Sequence, residues 1–198
     1  MGMAKVVPAI PALKASYASG RMFTLPVNIT VSTSYHCNSR CKTCNVWLLP
    51  NDDLRLDEWD RVFESLGDAP YWFTFSGGEP TLREDLPEMV ERAYRHCRPG
   101  IINIPTNGIL DRVIPPRIER ILQLAPQSEI IVNLSLDAVG AKHDDIRDGE
   151  TQDREAPRLE ARSDGAKRRP APGAIWLRVR RYRGAGRKLR CFCGTCFG

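Results

Sequence analysis

Asn28-Ile-Thr-Val-Ser-Thr-Ser-Tyr-His-Cys37-Asn-Ser-Arg-Cys41-Lys-Thr-Cys44 is the stretch on which the reading of this chain turns. Its first six residues form an apolar, β-branched run of the kind that makes a strand. The three cysteines follow the end of that run, spaced so that three thiolates close on one inorganic centre. Cysteine sulfur is a soft ligand that suits iron–sulfur clusters, zinc or Cu(I), and a set of three leaves a metal position open for something other than protein. A closed zinc site needs four ligands, and only His36 stands near enough to add to the triplet. His36 reads as a loop residue, Cys97 as a small buried apolar group on a helix.

Working outward, a second strand-like run, Tyr71-Trp-Phe-Thr-Phe75, leads directly into Ser76-Gly77-Gly78-Glu79-Pro80. Two glycines remove side chains where the backbone passes close to a neighbour or takes positive φ, and Pro80 stiffens the exit. Two further strands, Ile101 to Pro105 and Glu129 to Leu134, end at Thr106-Asn107-Gly108 and Ser135-Leu136-Asp137. Gly77 to Thr106 and Thr106 to Ser135 are both steps of 29 residues, the length of a βαβ repeat. The intervening segments read as amphipathic helices: Asp57 to Leu66 with Trp59, Val62, Phe63 and Leu66 on one face, Arg83 to Cys97 with Leu86, Met89, Val90 and Tyr94, and Pro115 to Leu124. Alternating strands and helices predict an α/β fold with a parallel sheet, whose ligands gather at the carboxyl ends of its strands. Cys37 to Cys44, Ser76 to Pro80, Thr106 to Gly108 and Ser135 to Asp137 are therefore expected along one rim.

The run CNSRCKTC resembles the CxxxCxxC signature of the radical S-adenosylmethionine (radical SAM) enzymes, and Gly77-Gly-Glu-Pro80 resembles their GGEP motif. Thr43 stands where the family has an aromatic residue. The resemblance covers residues 25 to 147 and implies a partial (β/α) TIM-like barrel, here about four βα units. It implies that Cys37, Cys41 and Cys44 hold a 4Fe-4S cluster whose fourth iron is chelated by SAM. One electron then breaks a carbon–sulfur bond, and the resulting 5′-deoxyadenosyl radical abstracts hydrogen from a substrate that the sequence does not identify. By the same resemblance Gly77, Gly78, Glu79 and Pro80 hold the SAM amino group. Asn107, Ser135 and Asp137 are candidates for its ribose or carboxylate, and Arg147 for its carboxylate. Read without the resemblance, Ser135 and Asp137 are helix caps, Asn107 a turn residue and Arg147 a solvated charge. An electron donor such as flavodoxin or ferredoxin is the implied partner.

After Arg147 the pattern changes. Thirteen Lys and Arg stand against six Asp and Glu in residues 148 to 198, so the net charge of +5 belongs to this segment, and the first 147 residues carry −2. Arg158 to Pro172 lacks apolar periodicity, and only Ala174 to Val179 resembles a strand. The organisation expected is an extension over 1–24, a partial core over 25–147 and an irregular basic tail over 148–198, produced by truncation or by translation in a shifted frame. Arg178, Arg180, Arg181, Arg183, Arg187, Lys188 and Arg190, interleaved with Trp176 and Tyr182, form a run suited either to RNA or simply to solvent. Cys191, Cys193 and Cys196 read as incidental thiols. The alternative to a radical SAM enzyme is a non-catalytic fragment, or a module whose three thiolates hold iron or zinc without turnover and whose basic tail binds nucleic acid. No apolar run is long enough to span a membrane, Pro8 and Pro11 interrupt the only N-terminal apolar stretch, and thiolates that must stay reduced point to the cytoplasm.

Overall fold

The computed structural model describes residues 6–138, 141–147, 174–175 and 190–194. In chain order the elements are α1 (Ile10–Ser19), β1 (Asn28–Ser34), α2 (Leu56–Leu66), β2 (Trp72–Gly77), α3 (Leu86–Cys97), β3 (Ile101–Thr106), α4 (Ile114–Leu124), β4 (Glu129–Leu134), α5 (Ala141–Arg147), β5 (Ala174–Ile175) and β6 (Arg190–Gly194). Strands β1 to β4 lie side by side in sequence order and pair in parallel. The expected α/β architecture is thus present, with helices α2, α3 and α4 as the crossovers.

Local chemistry sets the helix ends. The Arg55 N–H donates to the Glu58 carboxylate (2.8 Å), and Asp57 and Glu58 sit in the first turn of α2, where acidic groups offset the orphan N–H donors. Pro87 opens α3 and prolines 115 and 116 open α4, positions where a missing N–H costs nothing. Arg95 and His96 close α3, and both meet Asp60 of α2 together with Arg92. Helix α1 was not expected from the sequence. Pro8 and Pro11 read there as interruptions, whereas they fall where the 3₁₀ turn Val7–Ala9 and α1 begin. Its Tyr17 is exposed, so the helix owes little to burial.

One face of the sheet carries the core. Phe73, Phe75, Ile102, Ile104, Ile130 and Val132 alternate along their strands and join Phe63, Leu86, Met89, Val90, Ala93, Cys97, Ile118 and Ile121 in one cluster. Phe63 is its aromatic hub, with ring centroids 5.6 Å from Trp59, 5.9 Å from Phe73 and 6.4 Å from Phe75. Cys97 is fully buried, as expected, and its thiol donates to the Phe63 carbonyl. Val62 is not part of the buried face: at 37% exposure it lies at the edge of the α2 stripe, one step around the helix from Phe63. The opposite face is mixed, with polar Thr and Asn beside Trp72, Ile131 and Glu129. Thr30, Thr74, Asn103 and Ile131 share a register row across four strands. The Trp72 indole donates to Thr74 (3.1 Å) and the Asn133 amide to Asn103 (2.6 Å).

The sequence leads to an expectation that parallel order stops after β4, and the backbone corrects it. Strand β6 pairs in parallel with β4 from Ile131↔Arg190 to Leu134↔Cys193, and β5 pairs antiparallel with β6. Arg190 to Gly194 gave no strand signal because three of its five residues are Arg or Gly or stand between thiols, so the pairing comes from the open edge of β4 rather than from local propensity. The basic run Arg178 to Lys188, the stretch Arg158 to Pro172 and Cys196 lie outside the described residues. Among the described residues no helix is long and apolar enough to cross a membrane.

Candidate functional site

The cysteine loop leaves the carboxyl end of β1 and runs over the ends of β2 and β3. Its entry is fixed by the glycine turn. The Gly78 N–H donates to the Ser34 carbonyl (2.7 Å) and the Glu79 N–H to the His36 carbonyl (2.8 Å). Gly77 has φ +119°, and a Cβ there would stand 2.2 Å from the Ser34 oxygen; one on Gly78 would stand 2.0 Å from the His36 oxygen. Both glycines are therefore required by close backbone approach, and what approaches is the segment leading into Cys37. His36 is exposed and contributes its backbone, consistent with a loop residue.

Cys37 and Cys41 are half-buried and Cys44 is exposed; all are free thiols. Burial pushes the Cys37 thiol up from its ordinary pKa, a Ser39 backbone hydrogen bond opposes this, and the negative charges of Glu79, Cys41 and Cys44 add to the rise. Desolvation and neighbouring anions both disfavour a bare thiolate, the condition in which a cation in place of the proton is most stabilising. Cys44 N–H closes a turn onto the Cys41 carbonyl (3.0 Å), and the Ser39 hydroxyl lies 3.2 Å from the Cys41 sulfur. Among the described residues no three His, Cys, Asp or Glu side chains gather tightly enough to hold a single metal ion.

Glu79 is 2% exposed, and its carboxylate is occupied by the protein. It accepts from the Thr81 N–H (3.1 Å), the Thr81 hydroxyl, the Thr106 hydroxyl (2.8 Å) and the Asn107 N–H (2.7 Å). Three of these donors converge on Oε1 and one, the Asn107 N–H, meets Oε2, so the free acceptor capacity of the carboxylate lies on Oε2. Pro80 is buried at the start of the 3₁₀ turn Pro80–Leu82. Asn107 turns its amide to the cysteine loop, donating to the Asn38 side-chain oxygen (2.8 Å), while its own oxygen accepts from the Ile109 N–H (3.1 Å). This bond is the turn geometry expected of Asn107.

The rim closes at β4 and α5. The Ser135 N–H donates to the Thr106 carbonyl (2.9 Å), and the Arg147 guanidinium is ion-paired with Asp137 (2.5 Å) rather than solvated. The far side of the cysteine loop rests on this helix end: the Ser39 hydroxyl donates to the Arg147 carbonyl (2.7 Å) and the Lys42 N–H to the Ile146 carbonyl (2.9 Å). All four sequence motifs thus meet at the carboxyl edge of the sheet. Sequence reasoning missed Asn38, Ser39, Thr81 and Arg83. Arg83 is largely buried and binds the Thr33 and Leu54 carbonyls (both 2.8 Å) beside Asp85, a brace under the rim. Position inside the cysteine spacing was the available signal for Asn38 and Ser39; nothing local marked Arg83.

A family description, the radical SAM superfamily, matches residues 31–159. PqqA peptide cyclase of Bradyrhizobium diazoefficiens is 30% identical over 131 residues, 64% of this chain and 33% of that protein. Mycofactocin maturase MftC of Mycolicibacterium smegmatis is 28% identical over 142 residues, 70% of this chain and 34% of that protein. The structure of Streptococcus suis SuiB bound to precursor peptide SuiA superimposes with a TM-score of 0.50 at 18% identity, covering 73% of this chain and 32% of SuiB. The chain spans about a third of the length of these proteins.

Proposed function

The chain belongs to the radical SAM superfamily, and from that premise we propose that Cys37, Cys41 and Cys44 hold a 4Fe-4S cluster and that SAM binds at its remaining iron. Held by Cys37, Cys41 and Cys44, such a cluster would supply one-electron reductive cleavage of SAM, with the electron drawn from an external donor and the hydrogen of the product 5′-deoxyadenosine drawn from substrate. The observation that carries the reading is the seating of a three-thiol loop against the Gly77–Glu79 backbone at the carboxyl edge of a parallel sheet.

The rest of the work is the chain's own. Cys37 is partly shielded from water, and the side-chain-free Gly77 and Gly78 let the turn lie close beside the cysteine loop. With Oε1 of Glu79 already committed to three donors, the backbone carbonyls of the glycine turn and the remaining acceptor site of Oε2 are the candidates for the SAM amino group. Ser135 and Asp137 stand at the end of β4 as candidates for ribose or carboxylate, and a SAM carboxylate at Arg147 would share its guanidinium with Asp137. As substrate class we propose a peptide, because PqqA peptide cyclase and the peptide-bound SuiB are among the proteins this chain is similar to. Anaerobic reconstitution with iron and sulfide tests the ligand set. About four irons per chain, lost in each of Cys37→Ala, Cys41→Ala and Cys44→Ala, is the expected result; one zinc per chain, or iron uptake indifferent to the cysteines, refutes it.

A further inference from the structure

We infer that Asn107 and Asn38 are positioning residues whose mutual hydrogen bond fixes the cysteine loop over the end of β3. This rests on the reading of Cys37, Cys41 and Cys44 as the ligand loop, and it replaces the ligand-binding role that resemblance gives the Asn107 side chain.

The loop is held on three sides. Backbone bonds tie its entry to the glycine turn, at Ser34–Gly78 (2.7 Å) and His36–Glu79 (2.8 Å). Ser39 and Lys42 tie its far side to the end of α5 (2.7 and 2.9 Å). The third tie, Asn107 to Asn38 (2.8 Å), is made by side chains on both partners, and Asn38 adjoins Cys37. Asn107 is itself immobilised: its N–H is held by the buried Glu79 carboxylate (2.7 Å), and its side-chain oxygen by the Ile109 N–H (3.1 Å). Glu79 in turn gathers Thr81 and Thr106, so one buried carboxylate knits the ends of β2 and β3 and passes that rigidity to the loop through one amide. A side chain fixed in both its polar groups is suited to orienting a neighbour, since its own rotamer is already locked.

Because Asn107 donates and Asn38 accepts, the two substitutions at Asn38 have opposite outcomes. Asn38→Asp keeps the acceptor, whereas Asn38→Leu has a similar shape without it. Amide hydrogen exchange on the cluster-free protein reads the brace directly. Asn38→Leu should exchange about five- to tenfold faster at Lys42 and Cys44, the loss of roughly one net hydrogen bond, with Ile102 and Ile104 of β3 unchanged. Asn38→Asp should match the parent protein. The double variant Asn38→Leu with Asn107→Leu should be no faster at Lys42 and Cys44 than Asn107→Leu alone. On iron-loaded protein, Asn38→Leu should release iron to a chelator faster and Asn38→Asp should not. Parent-like exchange in Asn38→Leu, equal loss in Asn38→Asp, or acceleration spread through β3 overturns the inference. Absence of cysteine-dependent iron in the parent overturns the cofactor reading instead, and the exchange comparison still decides the brace.

Discussion

Gly78→Ala is the perturbation that probes most sharply why the glycine turn exists. A Cβ at this position would stand 2.0 Å from the His36 oxygen, 2.6 Å from its carbonyl carbon and 2.9 Å from the Tyr35 oxygen. All three are backbone atoms, so no side chain can swing away, and the two segments must separate by about an ångström. Two backbone bonds, Gly78 to Ser34 and Glu79 to His36, span that gap. Losing them costs ~1 kcal/mol each, and forcing volume into a packed contact adds about 1–3 kcal/mol. The expected loss is therefore about 3–5 kcal/mol, or about 10 °C in Tm for a chain of this size. Gly20→Ala is the control. Gly20 has the left-handed backbone that Gly78 lacks, at φ +67°, and its Cβ would meet nothing within 4 Å, so the cost there is the left-handed backbone alone, about 1–2 kcal/mol. Chemical unfolding of both variants separates the terms. A Gly78→Ala loss no larger than that of Gly20→Ala would refute the close-approach argument.

Other substitutions follow from the same geometry. Glu79→Gln, with its amide oxygen kept at the three donors on Oε1, turns its NH₂ against the Asn107 N–H on the other side, and should lose about 1–3 kcal/mol in denaturant titration; a neutral outcome would mean that the Asn107 N–H bond to Glu79 is not made. Phe63→Ala empties the aromatic hub of α2 and should cost about 3–5 kcal/mol, whereas Val62→Ala, at the exposed edge, should cost well under half of that. Asp60 is held below the usual carboxylate range, first by its hydrogen bond with His96 and then by Arg92. A depressed folded-state pKa stabilises above the unfolded value and loses that contribution as pH falls below about 4. Asp60→Asn should therefore flatten the acid limb of the stability profile, and an unchanged acid limb would remove Asp60 from the account.

Legibility in the sequence was uneven, and for physical reasons. Strands β1 to β4 and helices α2 to α4 were readable because each buries one face, so periodicity had to show; Glu129 to Leu134 matches strand β4 at both ends. Helix α1 was not readable, since it is exposed and opens on prolines that also punctuate loops. Strand β6 was not readable because its partner is an edge 56 or more residues earlier in the chain, and no local pattern encodes that. Within the candidate site, the cysteines, Gly77, Gly78 and the strand-end residues were singled out by spacing. The commitments of their side chains were not: Glu79 to Thr81, Thr106 and Asn107, Asn107 to Asn38, and Arg147 to Asp137 are long-range pairings that only the fold brings together.

The central claim is that this rim supports reductive cleavage of SAM. Protein reconstituted anaerobically with iron and sulfide, reduced with dithionite and given SAM should form 5′-deoxyadenosine, and the Cys41→Ala variant should form none. A cysteine-dependent cluster that yields no 5′-deoxyadenosine, or equal product from Cys41→Ala, would contradict it.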